Sequence, residues 1–333
     1  MSAQRIKELD VFRGLAAMAV VLYHYTYNFK VIFPDTNYEA PFVLNHFNLG
    51  IELFFIISGY VIYLTVDRNN QARHFIISRF SRLFPAYWVS VMLAWGLAQT
   101  LNIPELKTPF KDFLWNLTMF QSFPKIHVLL VQKVYWTLGA ELCFYMFVLA
   151  GLITGLYRKP LIIIPGLMIL MLVVNFIYLH HGMPYYMPVY QYLFLYNSLP
   201  LFCFGILMYL FKKGESKYLV TVNILLCMLA YAMVKDRAGI IAVSLFAIMI
   251  LLYIKGWLTW IVNPVTVFFG TISYSLYLIH QNLGYVLLLK LSGCGLNSNL
   301  ALTITIAVAI LLATLITYTI EKPGMRAIRS WLE

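Results

Sequence analysis

Two histidines and two glutamates lie inside segments that are otherwise apolar: His24, Glu52, Glu141 and His280. Ionisable residues are rare in such segments, because a charged side chain costs about 2.5–3.5 kcal/mol at the centre of a membrane helix. A buried neutral imidazole can accept a proton from a hydroxyl group, so His24 is a candidate general base. The alternative is a neutral His24 that binds a backbone carbonyl or a neighbouring helix.

Glu141, Glu52 and His280 each allow more than one interpretation. Glu141, in the stretch YWTLGAELCFY, would orient the imidazole of His24 if the two were close, or would make an interhelical hydrogen bond at the outer interface. Glu52 lies near the start of its helix, where a carboxylate favours the positive end of the helix dipole, so capping is its favoured role. His280 has polar neighbours in SYSLYLIHQN, a pattern that favours a lining or structural residue over a second base.

Arg79 and Arg82, in SRFSRLFP, are three residues apart and project from one side of a helix. Two guanidinium groups presented together suit a phosphate-bearing ligand, because arginine forms bidentate bonds with phosphate oxygens. Anchoring to lipid head groups explains the same pair equally well. No metal site is expected, and the other candidates lack the partners that nucleophilic or metal sites need: Cys143, Cys203, Cys227, His180 and His181.

The composition indicates what must hold these residues in place. Of 333 residues, 62% are hydrophobic and only 11% are charged, which is far from the usage of a soluble domain and typical of a multi-pass membrane protein. The net charge of +11 is spread over short connections between apolar runs. This pattern is typical of membrane orientation, so no nucleic-acid partner is expected.

Apolar runs long enough to cross about 30 Å of hydrocarbon, at roughly 20 residues each, predict about ten transmembrane helices and an all-α fold. The sequence shows no internal repeat and no separate soluble domain, so residues 1–333 are interpreted as one transmembrane domain. Two connections stand out, a basic and partly amphipathic one at 67–83 and a long one at 102–135. The predicted spans are 11–29, 47–66, 84–101, 136–156, 160–179, 193–211, 218–234, 238–254, 265–289 and 299–320.

The distribution of basic residues predicts the orientation of the chain. Alternate connections carry 16 lysines and arginines on one side and 8 on the other, which places both termini in the cytoplasm. The connection at 67–83 is then cytoplasmic and the loop at 102–135 is extracytoplasmic. In this orientation His24 lies in the outer half of the membrane, and Arg13 lies about 16 Å away from it toward the cytoplasm.

Several motifs, taken together and in order, resemble the acyltransferase-3 family of integral membrane acyltransferases, which includes bacterial O-acetylases of surface and secreted polysaccharides. The resemblance covers nearly the whole chain. In the opening motif, Arg13 and His24 are separated by ten residues as in the family's signature. The motifs are LDVFRGLAAMAVVLYHY at 9–25, GIELFFIISGYVI at 50–62, IISRFSRLFPAYW at 76–88, YWTLGAELCFYMF at 135–147, SYSLYLIHQNL at 273–283 and EKP at 321–323.

The resemblance implies roles for five residues. His24 would be the catalytic histidine, Arg13 an essential arginine of the first helix, and Arg79 and Arg82 the paired arginines where acyl-CoA enters. Glu141 would belong to the catalytic neighbourhood. The implied donor is acyl-CoA, chiefly acetyl-CoA, with no permanently bound cofactor, and the implied acceptor is a carbohydrate, possibly lipid-linked. The expected location is the bacterial cytoplasmic (inner) membrane, in contact with lipid, and a protein partner is left open.

The residues allow two functions of different classes. In the first, His24 accepts the proton of an acceptor hydroxyl as its oxygen attacks the thioester, with direct transfer and an acyl-enzyme as alternative routes and with acetyl or succinyl as the acyl group. In the second, His24, Glu52 and Glu141 form the proton relay of a secondary transporter. Transporters usually have repeated halves around a site at the membrane midplane, and the sequence lacks such a repeat.

Overall fold

The computed structural model describes residues 6–122, 128–181 and 198–332, and every regular element in these ranges is helical. Residues 193–197 of the predicted sixth span, residues 123–127 of the predicted long loop and Arg5 lie outside the described residues. The helices are α1 Lys7–Tyr23, α2 Phe29–Ile32, α3 Gly50–Arg68, α4 Ala72–Thr100, α5 Phe110–Asn116, α6 Trp136–Thr154, α7 Pro160–His181, α8 Leu199–Lys213, α9 Lys217–Ala232, α10 Arg237–Ile254, α11 Pro264–Gly293, α12 Ser298–Ile316 and α13 Lys322–Leu332.

Several helices are suited to a lipid environment, which confirms the all-α membrane fold. Among the described residues, five helical segments are long and apolar enough to cross a membrane by length and composition, and α9 is a shorter apolar helix. The number of ten spans and the cytoplasmic location of both termini stay predictions. The five segments are Phe47–Arg68, Lys133–Thr154, Pro160–Ile177, Arg237–Ile254 and Ser298–Leu332.

The first helix is interrupted at His24. Helix α1 runs into one π-helical turn at His24–Asn28, in which the amide of Phe29 donates to the carbonyl of His24, and then continues as α2. A second π-helical turn, Thr317–Glu321, joins α12 to α13. Turns of this type are rare and are frequent at functional sites, so both mark positions of interest.

Glycines allow two pairs of helices at the centre to approach closely. A Cβ atom on Gly14 of α1 would lie 2.7 Å from the backbone nitrogen of Gly270 in α11. A Cβ atom on Gly59 of α3 would collide with the carbonyl of Phe202 in α8, and one on Gly205 would collide with α3 in return. Small residues at such crossings let backbones pack directly, as is common in membranes. The two crossings fix α1 against α11 and α3 against α8.

The outer helices differ from this centre. Large apolar side chains on α7, α9 and α10 are exposed, such as Ile162 at 68%, Leu225 at 63% and Ile241 at 61%. An exposed apolar surface of this extent is expected where a helix faces lipid hydrocarbon. The site described below is therefore enclosed by the inner helices.

The structure also locates the two connections singled out in the sequence. Helix α3 ends at Arg68 and α4 begins at Ala72, so most of residues 67–83 belongs to helices and only 69–71 form the turn. Arg79 and Arg82 consequently lie on a helix that continues without a break to Thr100. Within 102–135, helix α5 is held against α4 by the hydroxyl of Tyr87, which donates to the carbonyl of Asn116 at 2.5 Å.

Candidate active site

Five inner helices surround a cavity that contains three arginines and one glutamate, which we call the arginine cavity. Its charged residues are Arg13 from α1, Arg79 and Arg82 from α4, and Glu141 from α6. The sequence alone placed these residues in three distant segments, and the fold brings them to one space. The polar and aromatic residues around them are Ser58, Thr137, Tyr145, Tyr274 and Tyr277.

Arg82 is held by a buried carboxylate. Its guanidinium forms an ion pair with Glu321, whose side chain is only 1% exposed. The other carboxylate oxygen of Glu321 accepts from the hydroxyl of Ser275 at 2.7 Å. The guanidinium also lies 5.4 Å from the centre of the Tyr274 ring. A buried charge needs a partner of this kind, because an unpaired one loses its solvation without compensation.

Arg79 has aromatic rather than acidic neighbours. Its guanidinium carbon lies 5.9 Å from the ring centres of both Phe75 and Tyr145, and one terminal nitrogen donates to Ser78 at 2.9 Å. Its Nε atom is buried without a hydrogen-bond partner. Cation–π contacts of this kind hold a guanidinium while leaving donors for an anion. Arg79 therefore has donor capacity to offer a ligand in the cavity.

Glu141 lies on the cavity wall, but it is not a partner of His24. Its carboxylate accepts from the hydroxyl of Ser58 at 2.8 Å and from the hydroxyl of Tyr145 one turn along α6. Of the two expectations for Glu141, the structure shows the interhelical hydrogen bond, with Ser58 of α3, and none of its described hydrogen bonds goes to His24. Sequence spacing placed both residues in the outer half of the membrane, but Glu141 lines the cavity together with Arg13, which lies about three helical turns before His24.

The actual partner of His24 is a second histidine, and we call His24 and His280 the histidine pair. Nδ1 of His24 lies 2.8 Å from the carbonyl oxygen of Val20 and 3.2 Å from Nε2 of His280. Nδ1 of His280 lies 2.8 Å from the carbonyl oxygen of Tyr277. Because a carbonyl only accepts, each Nδ1 carries the proton in the neutral ring. Nε2 of His280 then accepts from His24, and Nε2 of His24 keeps its lone pair.

The histidine pair is buried and anchored. His24 is 6% exposed and His280 is 0% exposed. The hydroxyl of Tyr25 donates to the backbone carbonyl of His280 at 2.8 Å, which ties the π-helical turn to α11. The ring of Tyr25 fills the space left by Gly284, where a Cβ atom would collide with it. The register between α1 and α11 at this level is therefore fixed by side-chain packing.

Tyr277 separates the histidine pair from the arginine cavity. It lines the cavity, and its ring centre is 5.8 Å from that of His280, one helical turn further along α11. Its hydroxyl is 2.9 Å from Oγ1 of Thr137 and donates to the carbonyl of Val134 at 3.1 Å. The cavity thus extends from the arginines to a tyrosine that contacts the second histidine.

Glu52 belongs to a different set of contacts. It lies in the first turn of α3, as predicted, and it forms an ion pair with Lys235 at 2.7 Å and accepts from the hydroxyl of Tyr231 at 3.0 Å. The described contacts of Glu52, Glu141 and His24 do not join them. The structure therefore does not assemble the proton relay that the transporter interpretation requires.

Sequence reasoning missed one residue of the site, Glu321, and gave too little weight to another, His280. Glu321 was noted only as part of EKP, although an acid directly after the apolar run 299–320 is a signal of a buried counter-ion. His280 was interpreted as a lining residue, and its contact with His24 depends on helix packing that the sequence does not reveal. The π-helical turns at His24–Asn28 and Thr317–Glu321 also had no signal in the sequence.

Fold and site together define a multi-pass membrane protein in which a cationic cavity leads to a buried histidine pair. Comparison with known proteins gives the class of this site. The chain belongs to the acyltransferase-3 family, whose acyltransferase-domain model matches residues 6–319. The resemblance seen in the sequence motifs is thereby confirmed.

Three relatives share part of the chain. The exopolysaccharide production protein ExoZ of Rhizobium meliloti is 33% identical over 30% of this chain and 34% of its own length. The peptidoglycan O-acetyltransferase OatA of Listeria monocytogenes is 27% identical over 44% of this chain and 24% of its own length. The putative peptidoglycan O-acetyltransferase YrhL of Bacillus subtilis is 26% identical over 46% of this chain and 24% of its own length. The chain thus spans about a quarter to a third of these relatives, and no solved structure matches it.

Proposed function

We propose that the protein is a membrane O-acyltransferase that moves an acyl group, chiefly acetyl, from cytoplasmic acyl-CoA to a hydroxyl of an exported or cell-surface carbohydrate. The observation that carries the proposal is the arrangement of the arginine cavity, which ends one helical turn from the histidine pair. The names of the relatives, which refer to exopolysaccharide production and peptidoglycan O-acetylation, support a carbohydrate acceptor. The location in the bacterial cytoplasmic membrane belongs to the same proposal.

The donor binds through its phosphates. Acyl-CoA carries several negative charges, and Arg13, Arg79 and Arg82 line one cavity together. Arg79 supplies free donor capacity, whereas Arg82 is already neutralised by Glu321 and contributes orientation more than net attraction. The thioester arm, which is uncharged, then extends along the cavity toward Tyr277. Glu141 keeps the hydroxyls of Ser58 and Tyr145 in place on the wall.

His24 acts as the general base through Nε2. As the acceptor oxygen attacks the thioester carbonyl, its proton moves to Nε2 of His24, and collapse of the tetrahedral intermediate expels the CoA thiolate. The thiolate recovers this proton from the imidazolium, which returns His24 to its neutral form. His280 is a positioning residue, because its Nε2 accepts from Nδ1–H of His24 and fixes the ring. General-base catalysis of this kind typically contributes 10²–10⁴-fold in rate.

Burial of the base serves the reaction. Water that reached the thioester would hydrolyse it before the acceptor arrived, and a dry site prevents this side reaction. The histidine pair, at 6% and 0% exposure, meets that requirement. A general base inside an apolar helix is therefore explained by the need to carry out the transfer away from water.

The test is release of free CoA by the purified full chain in nanodiscs, with a panel of acyl-CoA donors and glycan acceptors. We expect acceptor-dependent release in the wild type and a loss of at least 100-fold in His24→Ala, with donor binding retained. Equal release by both proteins would refute the base role. Absence of acyl-CoA binding in the wild type would refute the donor assignment.

A further inference from the structure

A second site lies at the junction of α3, α6, α7 and α8. An apolar groove, lined by residues such as Phe144, Gly151, Ile164 and Cys203, runs along α6 and opens to the outside. None of the charged residues of the arginine cavity lines it. The groove is therefore chemically distinct from the cavity proposed for the acyl donor.

A cleft with basic residues continues the groove at one end. Tyr63, Tyr157 and Pro160 line both the groove and the cleft, so the two spaces are adjoining. The hydroxyl of Tyr63 donates to the carbonyl of Tyr157 at 2.9 Å, which fixes the boundary between them. One continuous site thus has an apolar part and a polar part.

The charge of the cleft is positive. Arg68, Arg158 and Lys159 line it, together with Lys213. Two acids, Asp67 and Glu215, also line the cleft. The carboxylate of Asp67 forms an ion pair with the ammonium group of Lys213 at 2.7 Å. Three basic side chains therefore face one remaining carboxylate, and the cleft favours an anion.

The dimensions of the groove fit one leaflet of a bilayer. From Phe144 to Thr154, the residues of α6 that line the groove span about 15 Å at the rise of an α-helix. Half of a hydrocarbon core of about 30 Å is the same length. The basic cleft lies beyond Thr154 at the end of this span, where the head group of a lipid in that leaflet would be.

We propose that groove and cleft together bind one anionic phospholipid, with its phosphate among Arg68, Arg158 and Lys159 and an acyl chain along α6. Charge complementarity selects the head group, and the apolar walls select a hydrocarbon chain. A soluble phosphate would use the cleft alone, and a zwitterionic lipid would gain less from the basic residues. This inference goes beyond the proposed acyl transfer and does not depend on it.

The test is lipid binding to the purified full chain in detergent, followed by native mass spectrometry with dioleoyl phosphatidylglycerol and dioleoyl phosphatidylcholine. The head-group variant is Arg68→Gln with Lys159→Gln, and its charge-matched control is Lys217→Gln with Lys255→Gln, which are exposed and lie outside the lining of the site. The groove variant is Gly151→Leu, with Gly151→Ala as control because a Cβ there meets nothing closer than 3.6 Å.

We expect the wild type to prefer phosphatidylglycerol, and the head-group variant to bind it roughly 30-fold more weakly, as expected for two lost cationic contacts. Binding of phosphatidylcholine should change little in that variant, and both controls should bind as the wild type does. Gly151→Leu should weaken the binding of both lipids. Equal wild-type affinity for the two lipids, unchanged phosphatidylglycerol binding in the head-group variant, or equally strong competition by glycerol 3-phosphate would overturn the proposal.

Discussion

The arginine cavity and the histidine pair are neighbours inside one bundle, but their ionisable side chains have different kinds of interaction partner. In the cavity, guanidinium groups are held by a carboxylate and by aromatic rings, as in Arg82 with Glu321 and Tyr274. In the histidine pair, the described hydrogen bonds of His24 go to a backbone carbonyl and to His280, and none goes to a carboxylate. Both ends are buried, so the difference lies in the choice of partners.

This difference shows how one membrane interior can bind an anion and also keep a neutral base. A carboxylate beside His24 would stabilise the imidazolium and reduce its tendency to release the proton. A cavity without fixed cations would not retain a phosphate-bearing donor. The separation by Tyr277 lets each end keep its own electrostatic environment. Four substitutions test this division, from the largest expected effect to the smallest.

Loss of Glu321 should have the largest effect, and it acts on stability. Glu321→Gln leaves the guanidinium of Arg82 without its counter-ion, and we expect a loss of about 3 kcal/mol in unfolding free energy. This is the lower end for a buried pair, because the Arg82 side chain is 25% exposed. Unfolding in detergent measures it. The control is Glu39→Gln, whose pair with Lys30 is exposed and should change stability by less than about 1 kcal/mol. Equal losses in the two variants would contradict the distinction.

Loss of Arg79 should weaken the binding of acyl-CoA and leave the chemical step nearly unchanged. Arg79→Ala removes charge-assisted hydrogen bonds worth about 1.5–3 kcal/mol, so the KM for acyl-CoA should rise by roughly 10- to 150-fold while kcat stays within a few-fold. Arg73→Ala is the matched control, since Arg73 lies on the same helix but outside the cavity lining. A fall in kcat with unchanged KM would assign Arg79 to the chemical step instead.

Replacement of His280 should affect the chemical step alone. His280→Leu removes the second acceptor of Nδ1–H of His24 and leaves the carbonyl of Val20, and a bond of about 0.5–1.5 kcal/mol predicts up to about a tenfold decrease in kcat. His280→Gln retains an acceptor and should recover most of that rate. Steady-state kinetics of the two variants tests the positioning role. Equal losses in both would indicate that the ring matters only for packing.

The smallest effect is expected at Tyr277, which lies between the arginine cavity and the histidine pair. Tyr277→Phe removes one hydroxyl, and Thr137 keeps its hydrogen bond to the carbonyl of Val134. We therefore expect a loss of about 0.5–1 kcal/mol in unfolding free energy and an intact cavity. A comparison of unfolding curves and of CoA release without an acceptor measures both. Acceptor-independent release that increases in Tyr277→Phe would show that the hydroxyl helps to exclude water.

The sequence predicted which residues belong to the site better than it predicted which of them contact each other. Hydropathy located His24 because an ionisable residue in an apolar run is conspicuous, whereas spacing and motifs located Arg13, Arg79 and Arg82. Partners depend on which face each helix turns to its neighbours, and that is decided by close packing such as the Gly14 crossing. For this reason the sequence left open whether Glu141 would approach His24 or form an interhelical hydrogen bond, and the structure shows the bond with Ser58.

A similar limit applies to helix continuity. The basic stretch at 67–83 was interpreted as a partly amphipathic connection between two spans, whereas from Ala72 onward it belongs to α4, which continues to Thr100. Charge alone does not end a helix, since arginine is a good helix former. The π-helical turn at His24 shows the reverse case. The hydropathy is continuous there, but the backbone hydrogen-bond pattern of the helix changes.

The π-helical turn at His24 makes the number of residues in the first helix as important as their identity. Such a turn contains one residue more than an α-helical turn, so each side chain beyond it is rotated by about 100° relative to an uninterrupted α-helix. Deleting one residue from 25–28 would preserve an apolar helix but turn Phe29 and Phe33 away from the ring of Tyr285, which they now contact. A one-residue change here would therefore misdirect the aromatic side chains that follow the turn, without introducing a single unsuitable side chain.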